Sequence, residues 1–191
     1  MTNVAARRAL GPEGIRMGEV HWKFRPKVSV LVAAWNEAEI IQEHIASFLT
    51  LRYFPKELVL CAGGDDGTFG LAYQYAGEQV TIIKQSSGEG KQKALRKTLA
   101  LADGEVILLT DADCLFADES FEKVLAPVVN EDEVVATGTI QPLSQQRSSP
   151  FVLHRWFNEV WAVAHTSRGR EYVTGVMGAN TAIRRDVLEK V

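Results

Sequence analysis

Asp111 and Asp113 stand two residues apart, directly after the apolar stretch Glu105-Val-Ile-Leu-Leu-Thr. In extended chain that spacing puts both carboxylates on one face. Like charges held so close repel one another, and one pKa rises unless a cation or hydroxyl donors compensate. Hard oxygen ligands suit Mg²⁺ or Mn²⁺, which would then bridge to phosphate oxygens. A bare Asp-x-Asp also reads as a solvated turn in which Asp113 caps a helix, so its position in the fold decides between the two. Gly88-Glu-Gly-Lys91-Gln-Lys93 is the second candidate. Its glycines let backbone approach closely, and a helix start beside lysine favours an anion such as a diphosphate. It is not the Gly-x-x-x-x-Gly-Lys-Ser/Thr phosphate loop, because the glycine spacing differs and no Ser or Thr follows Lys91.

Other residues carry weaker signals. Trp35 offers a flat ring that stacks on a nucleobase or serves as a core or lid aromatic. Asp65 and Asp66 suit base or ribose contact, or the capping of a helix. Cys114 adjoins the acidic pair but has no histidine near it in sequence, which argues against a nucleophile. His21, His44, His154 and His165 lack ligand spacing, and His44 falls on an apolar helix face. Residues 103–133 hold ten acids against one lysine, so a site at Asp111 and Asp113 lies in a field that attracts cations.

The elements that must position these residues follow from periodicity. Val28-Ser-Val-Leu-Val-Ala-Ala, Glu57-Leu-Val-Leu-Cys-Ala, Val80-Thr-Ile-Ile-Lys and Glu105-Val-Ile-Leu-Leu-Thr read as strands. Between them run helical patterns. The first is capped at Asn36 and carries Ile40, Ile41, His44, Ile45, Phe48 and Leu49. The second opens at Gly63–Gly67 and runs through Tyr75, and the third spans about Lys91 to Ala102. Four alternations with short connections predict an α/β fold with a mostly parallel sheet covered by helices on both faces. Ligands in such sheets bind at the carboxyl ends of the strands. Trp35-Asn36-Glu37, Gly64-Asp-Asp-Gly and Asp111-Ala112-Asp113 all stand there. Beyond Asp113 the pattern loosens into a helix at Phe121–Val129, a strand at Val134–Ile140, an aromatic-rich helix at Pro150–Thr166, a glycine-punctuated strand at Val173–Ile183 and a helix from Arg184.

Composition narrows the function. The 191 residues are 46% hydrophobic and 24% charged, as suits a globular domain with a large core. A net charge of −3 excludes a general nucleic-acid binder. Two cysteines are too few for a disulfide framework and point to a reduced, cytosol-facing compartment. No apolar run approaches the ~20 residues of a membrane span. Residues 1–26 form a basic, irregular arm or linker, which lies near an acidic or membrane surface or is simply a solubilising tail. Residues 27–191 form the domain proper.

In their order, Val-Ser-Val-Leu-Val-Ala-Ala-Trp-Asn-Glu, Gly-Gly-Asp-Asp-Gly-Thr, Gly-Glu-Gly-Lys-Gln-Lys-Ala-Leu and Thr-Asp-Ala-Asp resemble the family 2 inverting glycosyltransferases from about Lys27 to Val191. The resemblance implies a GT-A (Rossmann-like) fold and a nucleotide-sugar donor, most often UDP-linked. It also implies a Mg²⁺- or Mn²⁺-dependent transfer, with inversion, to a saccharide or lipid-linked acceptor. It places Ala34, Trp35, Asn36 and Glu37 at the nucleotide, Lys91 near the diphosphate, Asp113 on the metal and Asp111 nearer the ribose and metal. Gly178-Ala-Asn180 with Arg184-Arg185 would line the donor sugar and acceptor. If Asp66-Gly67-Thr68 matches the second half of the family's second motif, the uracil-contacting Asp falls on Ala62; if the first half, Asp66 makes that contact. The family's catalytic base follows the Arg-Arg helix, so it is expected beyond Val191. The expectation is a donor-binding part that binds nucleotide and metal but transfers sugar poorly, its parent sitting at the cytosolic face of a membrane.

Two other enzyme classes fit less well. A sugar-phosphate nucleotidyltransferase needs a Gly-rich, Arg-containing loop where this chain has Ala-Ala-Trp-Asn-Glu. An Asp-phosphorylating phosphatase carries its Asp-x-Asp after the first strand, not the fourth. A non-catalytic docking domain leaves Lys91, Asp111 and Asp113 without a purpose.

Overall fold

The computed structural model describes residues 22–130, 133–138 and 179–190. These belong to a compact unit formed by Trp22–Ile140 and Val176–Val191. Most of the basic arm, the aromatic-rich 150–166 segment and Gly178 lie outside the described residues.

Six strands form one sheet: β1 Val28–Trp35, β2 Lys56–Gly63, β3 Val80–Lys84, β4 Val106–Leu109, β5 Val135–Thr137 and β6 Thr181–Arg184, in the order β3-β2-β1-β4-β6-β5. β1 through β4 run parallel; β6 runs antiparallel to both β4 and β5. The mostly parallel sheet expected from the strand–helix alternation is therefore present. Helices α1 Ile41–Thr50 and α2 Thr68–Tyr73 connect β1, β2 and β3, and α3 Gly90–Leu101 carries the chain from β3 past two strands to β4. α4 Asp118–Asn130 follows β4, and α5 Arg185–Leu188 follows β6.

Both faces of β1 are buried, which is why its sequence is continuously apolar. Val28, Val30 and Val32 pack with Ile41, Ile45 and Phe48 of α1 and with Phe121 and Leu125 of α4. Leu31 packs on the opposite side with Val59, Ile107 and Ala102, against Leu95 and Leu99 of α3. Each side chain buried in this way contributes about 1.5–3 kcal/mol. The chain reverses direction between β1, from which connections run toward β3, and β4, which lies on the other side. A crevice at the carboxyl ends forms at such a switch point.

Three boundaries differ from the sequence reading. α1 begins at Ile41, not at Asn36. Asn36 adopts a left-handed conformation (φ 59°), and the Glu37 carbonyl accepts from both Ile40 and Ile41 amides, so a turn precedes the helix. α4 begins at Asp118 rather than Phe121, because Asp118 accepts from the Arg52 amide at 2.7 Å and from its guanidinium at 2.6 Å. The described part of the glycine-punctuated strand is β6, which inserts between β4 and β5.

Candidate functional site

A cleft of about 650 Å³ opens at the carboxyl ends of β1, β3 and β4. Ala33, Trp35 and Glu37 form the part contributed by β1 and its following turn. Gln85, Ser86, Ser87 and Gly88 come from the loop after β3, with Gly90 and Lys91 at the start of α3. Asp111, Ala112 and Asp113 close it after β4. Gly88 and Gly90 both have positive φ, 74° and 73°, with open space where a side chain would stand. That backbone is available to a ligand at close range.

The two strongest candidates in the sequence meet here. The Lys91 ammonium pairs with the Asp111 carboxylate, both half exposed to the cleft. Among the described residues, no group of three or more His, Cys, Asp or Glu side chains is set to hold a metal. The acidic pair alone thus offers carboxylate oxygens of the kind Mg²⁺ or Mn²⁺ takes, and leaves room for ligand oxygens and water. Glu37 stands close by. Its carboxyl is held above the ordinary carboxylate range, first by burial and then by the charges of Asp113, Asp66 and Asp111. Such a concentration of negative charge fits a divalent cation.

The loop carrying the acidic pair is held from behind by α1. His44 is fully buried, and its Nδ1 lies 2.6 Å from the Cys114 carbonyl, so the ring donates there. Ser47 Oγ accepts from the Phe116 amide at 3.1 Å and donates to the His44 carbonyl at 2.7 Å. Burial pushes the His44 pKa down, so the ring is neutral at neutral pH. Burial also pushes the Cys114 thiol up, which makes it a poor nucleophile.

The remaining sequence candidates do other work. Asp66 does not line the cleft. Its carboxylate accepts from the Ala38 amide at 2.9 Å, the Thr68 amide at 3.0 Å and the Thr68 hydroxyl at 2.6 Å. These bonds, led by the Thr68 hydroxyl, hold its pKa below the usual range. The N-cap of α2 is Gly67, so Asp66 secures the turn before that helix rather than capping it. Asn36 Oδ1 accepts from the Asp65 amide at 2.9 Å, and its own amide donates to the Gly63 carbonyl at 3.1 Å. Asn36 and Asp66 thereby fasten the turn after β1 to the turn after β2. Ala34 is buried in the core below. Asn180 lies off the cleft wall in a left-handed conformation (φ 54°), its carbonyl accepting from the Gly138 amide at 2.8 Å. Sequence reasoning passed over Gln85, Ser86 and Ser87. The available signal was position: polar residues directly follow the β3 run.

An α/β sheet with this strand order, and a cleft at its switch point, define the class: a mostly parallel sheet of the GT-A type. The chain matches the family described as "Glycosyl transferase family 2" over residues 29–191, and it belongs to that family. It is 26% identical over 182 residues to the probable glycosyltransferase YdaM of Bacillus subtilis, covering 87% of this chain and 42% of that protein. The mannosyltransferase PcManGT from Pyrobaculum calidifontis, solved with GDP-Man and Mn²⁺, superposes with a TM-score of 0.66 at 22% identity, over 90% of this chain and 49% of that one. S. aureus TarS 1-349 with UDP-GlcNAc gives 0.55 at 21% identity, over 64% of this chain and 36% of that one. The chain spans less than half the length of each of these three. Among the described residues, no helix is long and apolar enough to cross a membrane.

Proposed function

We propose that the cleft binds a nucleotide-sugar donor, with UDP as the first choice of nucleotide, for metal-dependent transfer with inversion to a hydroxyl of a saccharide or lipid-linked acceptor. The observation that carries this reading is the meeting of Lys91, Asp111 and Asp113 on one cleft wall from separate elements. The solved neighbours carry GDP-Man with Mn²⁺ in one case and UDP-GlcNAc in the other, which supports a nucleotide-sugar and a divalent metal here.

Asp113, with Asp111, would hold Mg²⁺ or Mn²⁺. When bound, the metal offsets the charge of the diphosphate, which lowers the barrier to its departure. Lys91 adds a fixed positive charge at the same wall and turns from Asp111 to the phosphates. The glycine backbone at Gly88 and Gly90 admits the diphosphate at close range. Trp35 covers the base. These residues supply the donor side of the reaction: they bind, orient and neutralise a leaving group.

The test is thermal stability with UDP, GDP and dTDP, in Mn²⁺ and in EDTA. A nucleotide that raises Tm by several degrees in Mn²⁺, and less in EDTA, is the expected result. No rise with any nucleotide in either condition rejects the proposal.

A further inference from the structure

We infer that Glu89 is a positioning residue for the donor's diphosphate: clamped by Lys97, it closes the turn at residues 86–89 before any ligand arrives. This rests on the donor-binding reading of the cleft and adds to it what sets the backbone that the phosphates meet.

Residues 85–91 line the cleft at every position except Glu89. The Glu89 side chain is only 8% exposed, and its bonds are made within the chain. Its Oε2 accepts from the Ser86 amide at 2.9 Å, while its own amide donates to the Ser86 carbonyl at 3.2 Å. The turn is thus closed twice, once through backbone and once through a side chain. Lys97, two helical turns into α3, fastens it from behind. Its ammonium donates to both Glu89 carboxylate oxygens at 3.1 Å and to the Lys84 carbonyl at 2.8 Å. Lys84 ends β3, so strand, turn and helix meet on one ammonium whose three donors are all used. The Ser86 amide first, and Lys97 next, hold the Glu89 carboxyl below the usual range, so it is ionised at neutral pH.

A clamp at this place has a specific use. Gly88 and Gly90, on either side of Glu89, stand at φ 74° and 73°. Glycine loses more conformational freedom on ordering than any other residue. Without a clamp this turn would be ordered only by its ligand, and affinity would fall by the cost of that ordering. Closed beforehand, the turn presents Ser87 and Gly88 to the cleft in one arrangement. The same run leads into Lys91, which pairs with Asp111, so the turn opens onto the charged wall where a diphosphate belongs. A partly exposed ion pair adds little to global stability. The effect of the clamp therefore falls on diphosphate binding rather than on the fold.

Hydrogen exchange and titration calorimetry on the full chain test this. Without ligand, the wild-type Ser86 amide should exchange slowly, and in Glu89→Ala at least about 10-fold faster. In Mn²⁺, Glu89→Ala should bind the preferred nucleotide, UDP or GDP, and inorganic diphosphate about 10-fold more weakly than wild type. Uridine, which lacks phosphate, should bind the two proteins equally. Glu89→Gln keeps an acceptor for the Ser86 amide and should recover part of the lost affinity. Lys97→Met should weaken diphosphate binding as well, and in combination with Glu89→Ala should add no further loss. A wild-type Ser86 amide that exchanges as fast as an open loop overturns the inference, whether or not the variants fold. So does a folded Glu89→Ala protein that binds diphosphate as tightly as wild type, or that loses uridine equally. If neither nucleotide nor diphosphate binds wild type, the donor-binding reading itself fails; diphosphate binding indifferent to Glu89 refutes this inference alone.

Discussion

Lys91 and Asp111 meet on one wall of the cleft from positions 20 residues apart, one opening α3 and the other just after β4. Exposed ion pairs contribute little to stability, because water screens them and two long side chains must be held in place. The pair is better understood as two charges awaiting a ligand that separates them. Lys91→Met should leave thermal stability within about 0.5 kcal/mol of wild type. It should weaken nucleoside diphosphate binding about 10-fold, since bonds to charged partners are the strong ones. Uridine, which lacks phosphate, should bind equally well to both proteins. Calorimetry with UDP and uridine checks this; an equal loss for both would place Lys91 at the nucleoside. At this scale the sequence is most legible where charge types are rare and paired. Asp111-Ala112-Asp113 and the Gly-Lys segment stood out through spacing together with their place after an expected strand and at an expected helix start. Gln85 did not, because a single glutamine after a strand carries no pattern; only the fold places it on the cleft wall.

Among the elements, α1 does more than cover the sheet. Through His44 and Ser47 it holds the loop bearing Asp111 and Asp113. Burial lowers the His44 pKa below its ordinary value of about 6.5, so the folded state favours the neutral ring. The sign follows from linkage: this contribution to stability is full above about pH 6.5 and is lost as pH falls through that value toward the folded one. Chemical denaturation at pH 7.5, 6.5 and 5.5 should show wild type losing stability across the series. His44→Leu should lose less over the same interval. Parallel declines in the two proteins would mean that His44 is not the titrating group. The four parallel strands were readable because β-branched apolar runs bury both faces, as Val28–Val32 do here. The start of α1 was not, because Asn36 carries a capping signal but spends its side chain on Asp65. The antiparallel direction of β6 within the expected Val173–Ile183 strand was also hidden, since its pairing with β4 joins residues more than 70 positions apart.

For the molecule as a whole, the two ends of the sheet are separable. At the end away from the cleft, Ser29 Oγ donates to Glu57 at 2.5 Å and accepts from the Gly104 amide at 2.8 Å. The Asp103 amide donates to the same Glu57 oxygen at 2.9 Å, and Lys27 bridges Glu57 and Asp103. This clasp joins the starts of β1 and β2 to the turn before β4. A side chain on Gly104 would come within 2.6 Å of the Ser29 backbone nitrogen and 2.8 Å of the Lys27 carbonyl, neither of which can yield cheaply. Gly104→Ala should therefore cost about 1–3 kcal/mol in denaturant unfolding. Its nucleotide affinity, measured where the variant is still folded, should match wild type; a large loss would couple the two ends.

The central claim is that Asp113 holds a divalent cation that in turn holds the donor's diphosphate. Titration calorimetry of UDP and GDP, in Mn²⁺ and in EDTA, on wild type and Asp113→Ala tests it most directly. Wild type should bind its preferred nucleotide at least about 10-fold more tightly in Mn²⁺ than in EDTA. Asp113→Ala should bind equally weakly in both. A variant that keeps the full Mn²⁺ dependence would contradict the account and move the metal elsewhere.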